Sequence, residues 1–114
     1  MQAMHVSATE SHVRVPLPME QIREFCSKWR VAEFALFGSV LRDDFRPESD
    51  VDVLVRFVDG VRYGFFAIGE MEDELRTIFG REIDLVTRTG VEVSENAPLR
   101  RAILNTAKVV YAAA

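Results

Sequence analysis

Hydrophobic residues change their spacing along the chain, and these changes predict a regular series of helices and strands. From Pro18 onward the apolar residues recur at steps of three and four, which predicts an amphipathic helix. The members of this apolar stripe are Met19, Ile22, Phe25, Cys26 and Trp29. Cys26 is interpreted as a small buried hydrophobe rather than a reactive thiol, because no basic partner is evident beside it.

Short apolar runs bounded by turn residues predict strands, and longer amphipathic segments predict further helices. The predicted strands cover residues 33–37, 50–57, 82–87 and 108–111. The further helices are expected over residues 39–44, 65–79 and 97–106. Ser39 is expected to cap the first of these, and Gly80 to end the second.

The resulting order is helix, strand, short helix, strand, helix, strand, helix, strand. It favours an α+β fold in which a small mixed β-sheet carries helices packed on one face, since that layer would bury the apolar stripes. Residues 1–17 are polar and largely unpatterned, so we expect a flexible N-terminal arm before a domain spanning 18–114. His5 and His12 in this arm are interpreted as solvated side chains, because no cysteine or carboxylate lies at ligand spacing.

Composition and charge then narrow the class of protein. The chain has 114 residues, 48% apolar and 28% charged, which suits one folded domain with one core. No apolar run approaches the ~18 residues of a membrane span. With a single cysteine and no secretory signal, a cytoplasmic location without membrane contact is expected. The net charge of −4 disfavours nucleic acid as the main substrate, because phosphate backbones are usually bound by basic surfaces.

Two acidic residues on one predicted strand are the first candidates for chemistry. Asp50 and Asp52 are two residues apart, so in a strand they project from the same face while the intervening valines face the core. Two carboxylates held this close repel each other. A divalent cation relieves that repulsion, and Mg²⁺ prefers one or two carboxylates together with substrate phosphates.

A third acid, Asp84, lies in an otherwise apolar strand and is costly there unless it has a partner. If its strand pairs beside that of Asp52, three carboxylates converge and resemble the ligand set of a two-metal phosphoryl-transfer site. Gly38 after a strand allows the backbone to approach a ligand closely. Ser39 at a helix start and Arg42 one turn later suit a phosphate group. Each feature alone has a simpler interpretation as a turn, a surface charge or a salt bridge.

The combination resembles the DNA polymerase β-type nucleotidyltransferase superfamily. Gly38-Ser39, ten intervening residues, the pair Asp50 and Asp52, and a third acid on a later strand match its motif. Size and element order are similar to those of the minimal nucleotidyltransferases of bacteria and archaea, over roughly residues 18–111. Ser49 and Arg42 also fit the family, whereas Asp43 stands where the family commonly has glycine.

This resemblance implies a role for each matched residue. Asp50 and Asp52 would ligate two Mg²⁺ ions, and Asp84 would complete the catalytic metal site and help deprotonate the acceptor. Gly38, Ser39, Arg42 and Ser49 would bind the nucleotide, with ATP as donor. Minimal members of the family are typically antitoxins, so the resemblance further implies transfer of AMP to a tyrosine of a HEPN-domain toxin.

Two other functions stay open at the level of sequence. One is a non-catalytic antitoxin that neutralises its partner by binding alone. The other is a free-standing nucleotidyltransferase acting on a small molecule or an RNA end. The aromatic cluster of Tyr63, Phe65 and Phe66 has two interpretations as well: it is buried at the start of a helix, or it forms an interface in a homo- or hetero-oligomer.

Overall fold

The computed structural model describes residues 13–113, so the predictions for residues 1–12, including both histidines, lie outside the described residues. Nine elements follow one another within residues 13–113. They are α1 (Met19–Trp29), β1 (Val31–Phe37), a 3₁₀ turn (Gly38–Leu41), β2 (Val51–Phe57), α2 (Phe65–Phe79), β3 (Ile83–Thr87), α3 (Arg88–Glu92), α4 (Ala97–Thr106) and β4 (Lys108–Ala112).

The strands form one four-stranded sheet in the order β3-β2-β1-β4. β1 pairs antiparallel with both β2 and β4, whereas β2 and β3 are parallel. The parallel pair requires a crossover connection, which α2 provides. The predicted mixed sheet and the α+β class are confirmed.

Both faces of the sheet carry apolar residues, because each strand alternates its side chains between the faces. On one face, residues such as Phe34 and Val53 pack with α1 and α2 in the larger core cluster. On the other face, Phe37 and Leu54 pack with Val91 of α3 and Ile103 of α4. Helices therefore lie on both faces rather than on the single face that was predicted, since the second face has an apolar cluster of its own.

Two short segments differ from the prediction. The helix expected over 39–44 is only the 3₁₀ turn Gly38–Leu41, and it has no side-chain cap from Ser39. It ends because Arg42 has an extended backbone, with φ −115° and ψ 159°. The sequence pattern did not indicate α3, which at five residues is too short for a periodic signal. The Thr87 hydroxyl caps α3 by accepting the N–H of Gly90.

The segment before α1 belongs in part to the domain rather than to an arm. Val15 is buried in the main core, and the N–H of Arg14 donates to the carbonyl of Val40. Cys26 is buried as predicted, and burial raises the pKa of its thiol to about 12. Across residues 13–113, no helix has the length and apolar character needed to cross a membrane.

Candidate active site

The structure brings Asp52 and Asp84 together on neighbouring strands. They are register partners in the parallel pair of β2 and β3, where strands lie about 4.8 Å apart. Their strand neighbours Val53 and Leu85 are buried in the main core. Both carboxylates therefore project from the opposite face of the sheet, the face that α3 and α4 cover in part.

Asp50 lies outside the strand ladder that aligns the other two acids. It is exposed and lies just before β2, which begins at Val51. Among the described residues, no group of three His, Cys, Asp or Glu side chains is close enough to hold a metal ion. The expected convergence of three carboxylates is therefore present only as the Asp52–Asp84 pair, because no strand ladder fixes the orientation of Asp50.

Both other acids nevertheless act on Asp52 electrostatically. The pKa of Asp52 is raised to about 6, first by partial burial and then by the negative charges of Asp84 and Asp50. The positive charge of Arg42 acts in the opposite direction and lowers this pKa. A cation bound beside Asp52 would favour the charged form of this carboxylate.

Gly38 allows the backbone to lie directly against the Asp52 carboxylate. A Cβ atom at Gly38 would be 2.1 Å from Oδ2 of Asp52, and the φ angle of +75° is one that L-residues rarely adopt. No other residue type fits at this position without displacing the carboxylate. The predicted close approach of backbone at Gly38 is thus to Asp52 itself, and the turn and the carboxylate form one unit.

The other predicted nucleotide-binding residues differ in their hydrogen bonds and in their secondary structure. Arg42 is exposed, and its Nε donates to Oδ1 of Asp44 at 3.1 Å. The Ser49 hydroxyl accepts the N–H of Arg46 at 3.0 Å, which closes a tight turn before Asp50. Ser39 lies in a 3₁₀ turn rather than at the start of a helix, so no helix dipole supports a phosphate there.

Asp43, which departs from the family pattern, does not face the site as an unpaired charge. Its carboxylate forms an ion pair with Arg14 on the segment before α1. Both side chains are largely solvent-exposed, so the pair contributes little to stability. It does balance the negative charge of Asp43 beside the Gly38 turn.

Two clefts lie on either side of α4, on the same face of the sheet as the acids. Leu99 and Ile103 of α4 line both clefts. The cleft toward β1 and β4 has a volume of about 630 Å³ and includes Gly38, Arg42 and Lys108. The sequence pattern did not indicate Lys108, because only the pairing of β4 with β1 brings it beside Gly38.

The second cleft, toward β3, has a volume of about 360 Å³. Its lining is mainly apolar and includes Val86, which lies two residues after Asp84 on the same face of β3. Among the described residues that line this cleft, Arg100 is the one charged residue. The Nη1 atom of that arginine donates to the carbonyl of Ser94. The two clefts therefore differ in charge: the one that includes Gly38 is basic, and the one along β3 is mainly apolar. Asp52 and Asp84 line neither cleft, although Val86 of the apolar cleft lies on the strand of Asp84.

These features define a mixed-sheet domain with two carboxylates aligned on neighbouring strands, one of which lies against a glycine turn. The chain matches the model of the nucleotidyltransferase domain family over residues 18–110 and belongs to that family. The prediction of a nucleotidyltransferase is therefore confirmed at the level of the family.

Sequence relatives carry the same assignment in their names. A Methanocaldococcus jannaschii protein, provisionally named protein adenylyltransferase MJ1379, is 34% identical over 64 residues, which are 56% of this chain and 64% of the relative. The protein adenylyltransferase MntA of Thermococcus cleftensis is 31% identical over 70 residues, or 61% of this chain and 69% of the relative. The chain thus spans just under two thirds of the first relative's length.

Solved structures agree with the fold. A toxin–antitoxin complex with AMP-PNP contains a chain with a TM-score of 0.66 and 19% identity, matched over 85% of this chain and 75% of that one. A structure described as a minimal nucleotidyltransferase has a TM-score of 0.59 and 27% identity, matched over 77% of this chain and 84% of that one. A complex of a tri-AMPylated Shewanella oneidensis HEPN toxin with an MNT antitoxin contains a chain with a TM-score of 0.56 and 19% identity. The match covers 83% of this chain and 66% of that one.

Proposed function

We propose that this chain is a Mg²⁺-dependent nucleotidyltransferase that moves AMP from ATP to a tyrosine of a HEPN-type partner protein. The observation that carries the proposal is the register pairing of Asp52 with Asp84 against the Gly38 turn. A pair of aligned carboxylates with one raised pKa is an unfavourable arrangement in the absence of a cation. Mg²⁺ commonly binds through one or two carboxylates and substrate phosphates, so the pair suits half of a metal site.

Each acid has a distinct proposed role. Asp52 and Asp50 would hold Mg²⁺, and Asp84 would complete the site and accept the proton of the acceptor hydroxyl. The acceptor oxygen forms a bond to the α-phosphorus, the bond from that phosphorus to the bridging oxygen breaks, and pyrophosphate leaves. When bound, Mg²⁺ supplies stabilisation of the negative charge that develops on the phosphate oxygens.

The donor and the acceptor are assigned to opposite sides of α4. The triphosphate is anionic, so the cleft with Arg42 and Lys108 suits it, together with the backbone at Gly38 and Ser39. The mainly apolar cleft along β3, the strand that carries Asp84, suits an uncharged aromatic side chain better than a phosphate backbone. This difference in charge supports a protein acceptor over an RNA end.

Transfer of label tests the proposal. The protein is incubated with Mg²⁺, ATP labelled at the α-phosphate, and a purified HEPN-domain protein as acceptor. We expect label on the partner, and a loss of roughly 100-fold or more for Asp52→Asn, because metal-dependent charge stabilisation is a large part of such catalysis. Absence of transfer, or equal transfer by the Asn variant, would sink the proposal.

A second candidate function is neutralisation of the partner by binding alone. It is supported by the exposed pair Phe65 and Phe66, which suits a protein interface, and by the absence of a closed three-carboxylate group within residues 13–113. A double variant, Asp50→Asn with Asp52→Asn, separates the two functions. Full neutralisation by this variant would favour binding, and restored toxicity would favour transfer.

A further inference from the structure

Arg81 holds the loop that leads into Asp50. Its Nη1 atom lies 3.1 Å from the carbonyl oxygen of Arg46, 2.9 Å from that of Pro47 and 3.2 Å from that of Ser49. The guanidinium carbon also lies 4.5 Å from the centre of the Phe45 ring, in a cation–π contact. One side chain thus contacts four of the five residues that precede Asp50.

The position of Arg81 in the chain makes it a fixed anchor. It follows Gly80, which ends α2 in a left-handed conformation with φ 68°, and it comes two residues before β3. The next residue, Glu82, accepts the N–H of Val51 through its backbone carbonyl. Arg81 is therefore attached to the start of the same strand that carries Asp84.

Apart from Phe45, which packs against the main core, the loop has few other attachments. Within residues 45–49, the N–H of Arg46 donates to the Ser49 hydroxyl and the N–H of Ser49 donates to the carbonyl of Arg46. Both bonds lie inside the loop. Across the described residues, the hydrogen bonds that join residues 46–49 to a distant part of the chain all come from Arg81.

We propose that Arg81 is a positioning residue that sets the location of Asp50 relative to Asp52 and Asp84. This inference rests on the proposed metal-dependent function. Asp50 lies outside the β2 ladder, so the preceding loop determines where its carboxylate points. Arg81 connects that loop to the start of β3, and it thereby couples the placement of the first acid to the strand that carries the third.

Three variants isolate this role. Arg81→Met keeps a long apolar stem beside Phe45 but removes every donor to the loop carbonyls. Arg81→Lys restores N–H donors with a compact charge and should recover part of the function. Arg76→Met is the matched control, because Arg76 lies in the same region and pairs with Asp73 and Glu82 but has no hydrogen bond to the loop.

The first readout is amide hydrogen exchange over residues 45–50, which does not depend on activity. We expect Arg81→Met to raise exchange in this segment roughly 10-fold or more, with the rest of the domain and its thermal midpoint little changed. Arg76→Met should leave the segment as in wild type. If exchange in Arg81→Met equals that of wild type, Arg81 does not hold the loop and the inference is overturned.

The second readout is binding of Mn²⁺ together with a non-hydrolysable ATP analogue. Residues that orient metal ligands typically contribute 10- to 100-fold to metal affinity, so we expect about 10-fold weaker Mn²⁺ binding for Arg81→Met and partial recovery for Arg81→Lys. In transfer assays, higher Mg²⁺ should restore the rate of Arg81→Met, and an unchanged thermal midpoint of the metal-free variant shows that the restored rate is not a gain of folded protein.

The outcomes separate the inference from the proposed function. Faster amide exchange in Arg81→Met with unchanged Mn²⁺ affinity would show that Arg81 supports the loop but has no effect on metal binding. This result would overturn the positioning role. Absence of Mn²⁺ binding by the wild type would overturn the proposed function, and the role of Arg81 at the metal with it. If Mn²⁺ binding is weaker in Arg81→Met but not in Arg76→Met, the result would support both the positioning role of Arg81 and the proposed function.

Discussion

At the scale of single residues, Asp52 is where burial and charge oppose each other most strongly. Its carboxylate lies against the Gly38 backbone, aligned with Asp84 and within the influence of Asp50. These surroundings raise its pKa to about 6. A group of this kind destabilises the metal-free fold at neutral pH, and proteins commonly accept such a cost at functional sites.

Removing this charge should stabilise the metal-free protein. Because the folded pKa lies above the unfolded value of about 3.9, the folded state binds the proton more tightly and the penalty develops as pH rises from about 4 to about 6. We therefore expect the free energy of unfolding of Asp52→Asn to exceed that of the wild type by roughly 1–2 kcal/mol above pH 6. The gain is smaller than for a fully buried group because the site is partly exposed to solvent.

Chemical denaturation without metal, at several pH values, measures this difference. Near pH 4 the two proteins should be almost equally stable. Added Mg²⁺ and ATP should stabilise the wild type more than the variant, because ligand binding to the folded state raises its stability. A difference that is constant with pH would mean that the carboxylate does not titrate as described.

Gly38→Ala should combine a loss of stability with a loss of activity. The new methyl group would overlap Oδ2 of Asp52 and force a change at the site. Gly60→Ala is a matched control, because Gly60 also has a positive φ of +85° but has open space around it. The control should lose about 1 kcal/mol from backbone strain alone, and Gly38→Ala should lose more.

Thermal unfolding and nucleotide transfer measure these two effects. Gly60→Ala should keep wild-type transfer, whereas Gly38→Ala should lose most of it. Equal stability and equal activity of the two alanine variants would contradict the close approach at Gly38.

At the scale of elements, β4 contributes to the site although no motif lies in it. Its pairing with β1 brings Lys108 into the cleft that also contains Gly38 and Arg42. Helix α4 crosses the same face and separates this cleft from the apolar one beside β3. The division of the surface into a basic and an apolar side therefore comes from the order of elements rather than from any local signal.

Lys108→Met should weaken nucleotide binding with little effect on stability, because the side chain is exposed and its charge faces the proposed triphosphate site. We expect the KM for ATP to rise roughly 5- to 10-fold, in line with one lost charge-assisted hydrogen bond, and kcat to change less. Lys28→Met is the control, since Lys28 pairs with Glu74 on the other side of the sheet. An unchanged KM for Lys108→Met would exclude its contact with the phosphates.

At the scale of the whole molecule, the sequence predicted most of the fold. The helix over 65–79 and the helix over 97–106 have the predicted bounds, and each predicted strand is present within two residues at either end. These segments are long or strongly patterned, so periodicity was sufficient to identify them. The strands that carry Asp52 and Asp84 are also paired. From the sequence alone, this pairing could only be assumed in order to bring the acids together.

What the sequence could not predict depends on contacts between distant residues. The clash between a Cβ at Gly38 and Asp52, the attachment of the 45–49 loop by Arg81 and the place of Lys108 all join segments far apart in the chain. The roles of Asp50, Ser39 and Ser49 in binding stay predictions. Burial of Phe65 and Phe66 at the start of α2 was one interpretation, but these side chains are 88% and 87% exposed.

This exposed pair should matter for association rather than for folding. Phe65 and Phe66 contact each other edge to face at the start of α2, and Tyr63 instead packs against Trp29 and Phe57. We expect Phe65→Ser with Phe66→Ser to leave thermal stability within about 0.5 kcal/mol, as is usual for exposed positions. Binding to the partner, or self-association measured by sedimentation, should weaken at least 10-fold.

Tyr63→Ser serves as the contrasting variant in the same cluster. Its hydroxyl donates to the carbonyl of Trp29 at 2.8 Å and its ring packs against the main core, so this variant should lose stability instead. Unchanged association of the Phe65 and Phe66 double variant would remove this surface as an interface.

The site itself is tested most directly by calorimetric titration of Mg²⁺ and a non-hydrolysable ATP analogue into the protein, which requires no acceptor. We predict binding that depends on Mg²⁺ and is lost in Asp52→Asn and Asp84→Asn, but kept in Asp59→Asn, whose residue lies in an exposed turn at the other end of β2. Nucleotide binding that persists in both site variants, or that is equally strong in EDTA, would contradict a metal-dependent nucleotide site on this pair of acids.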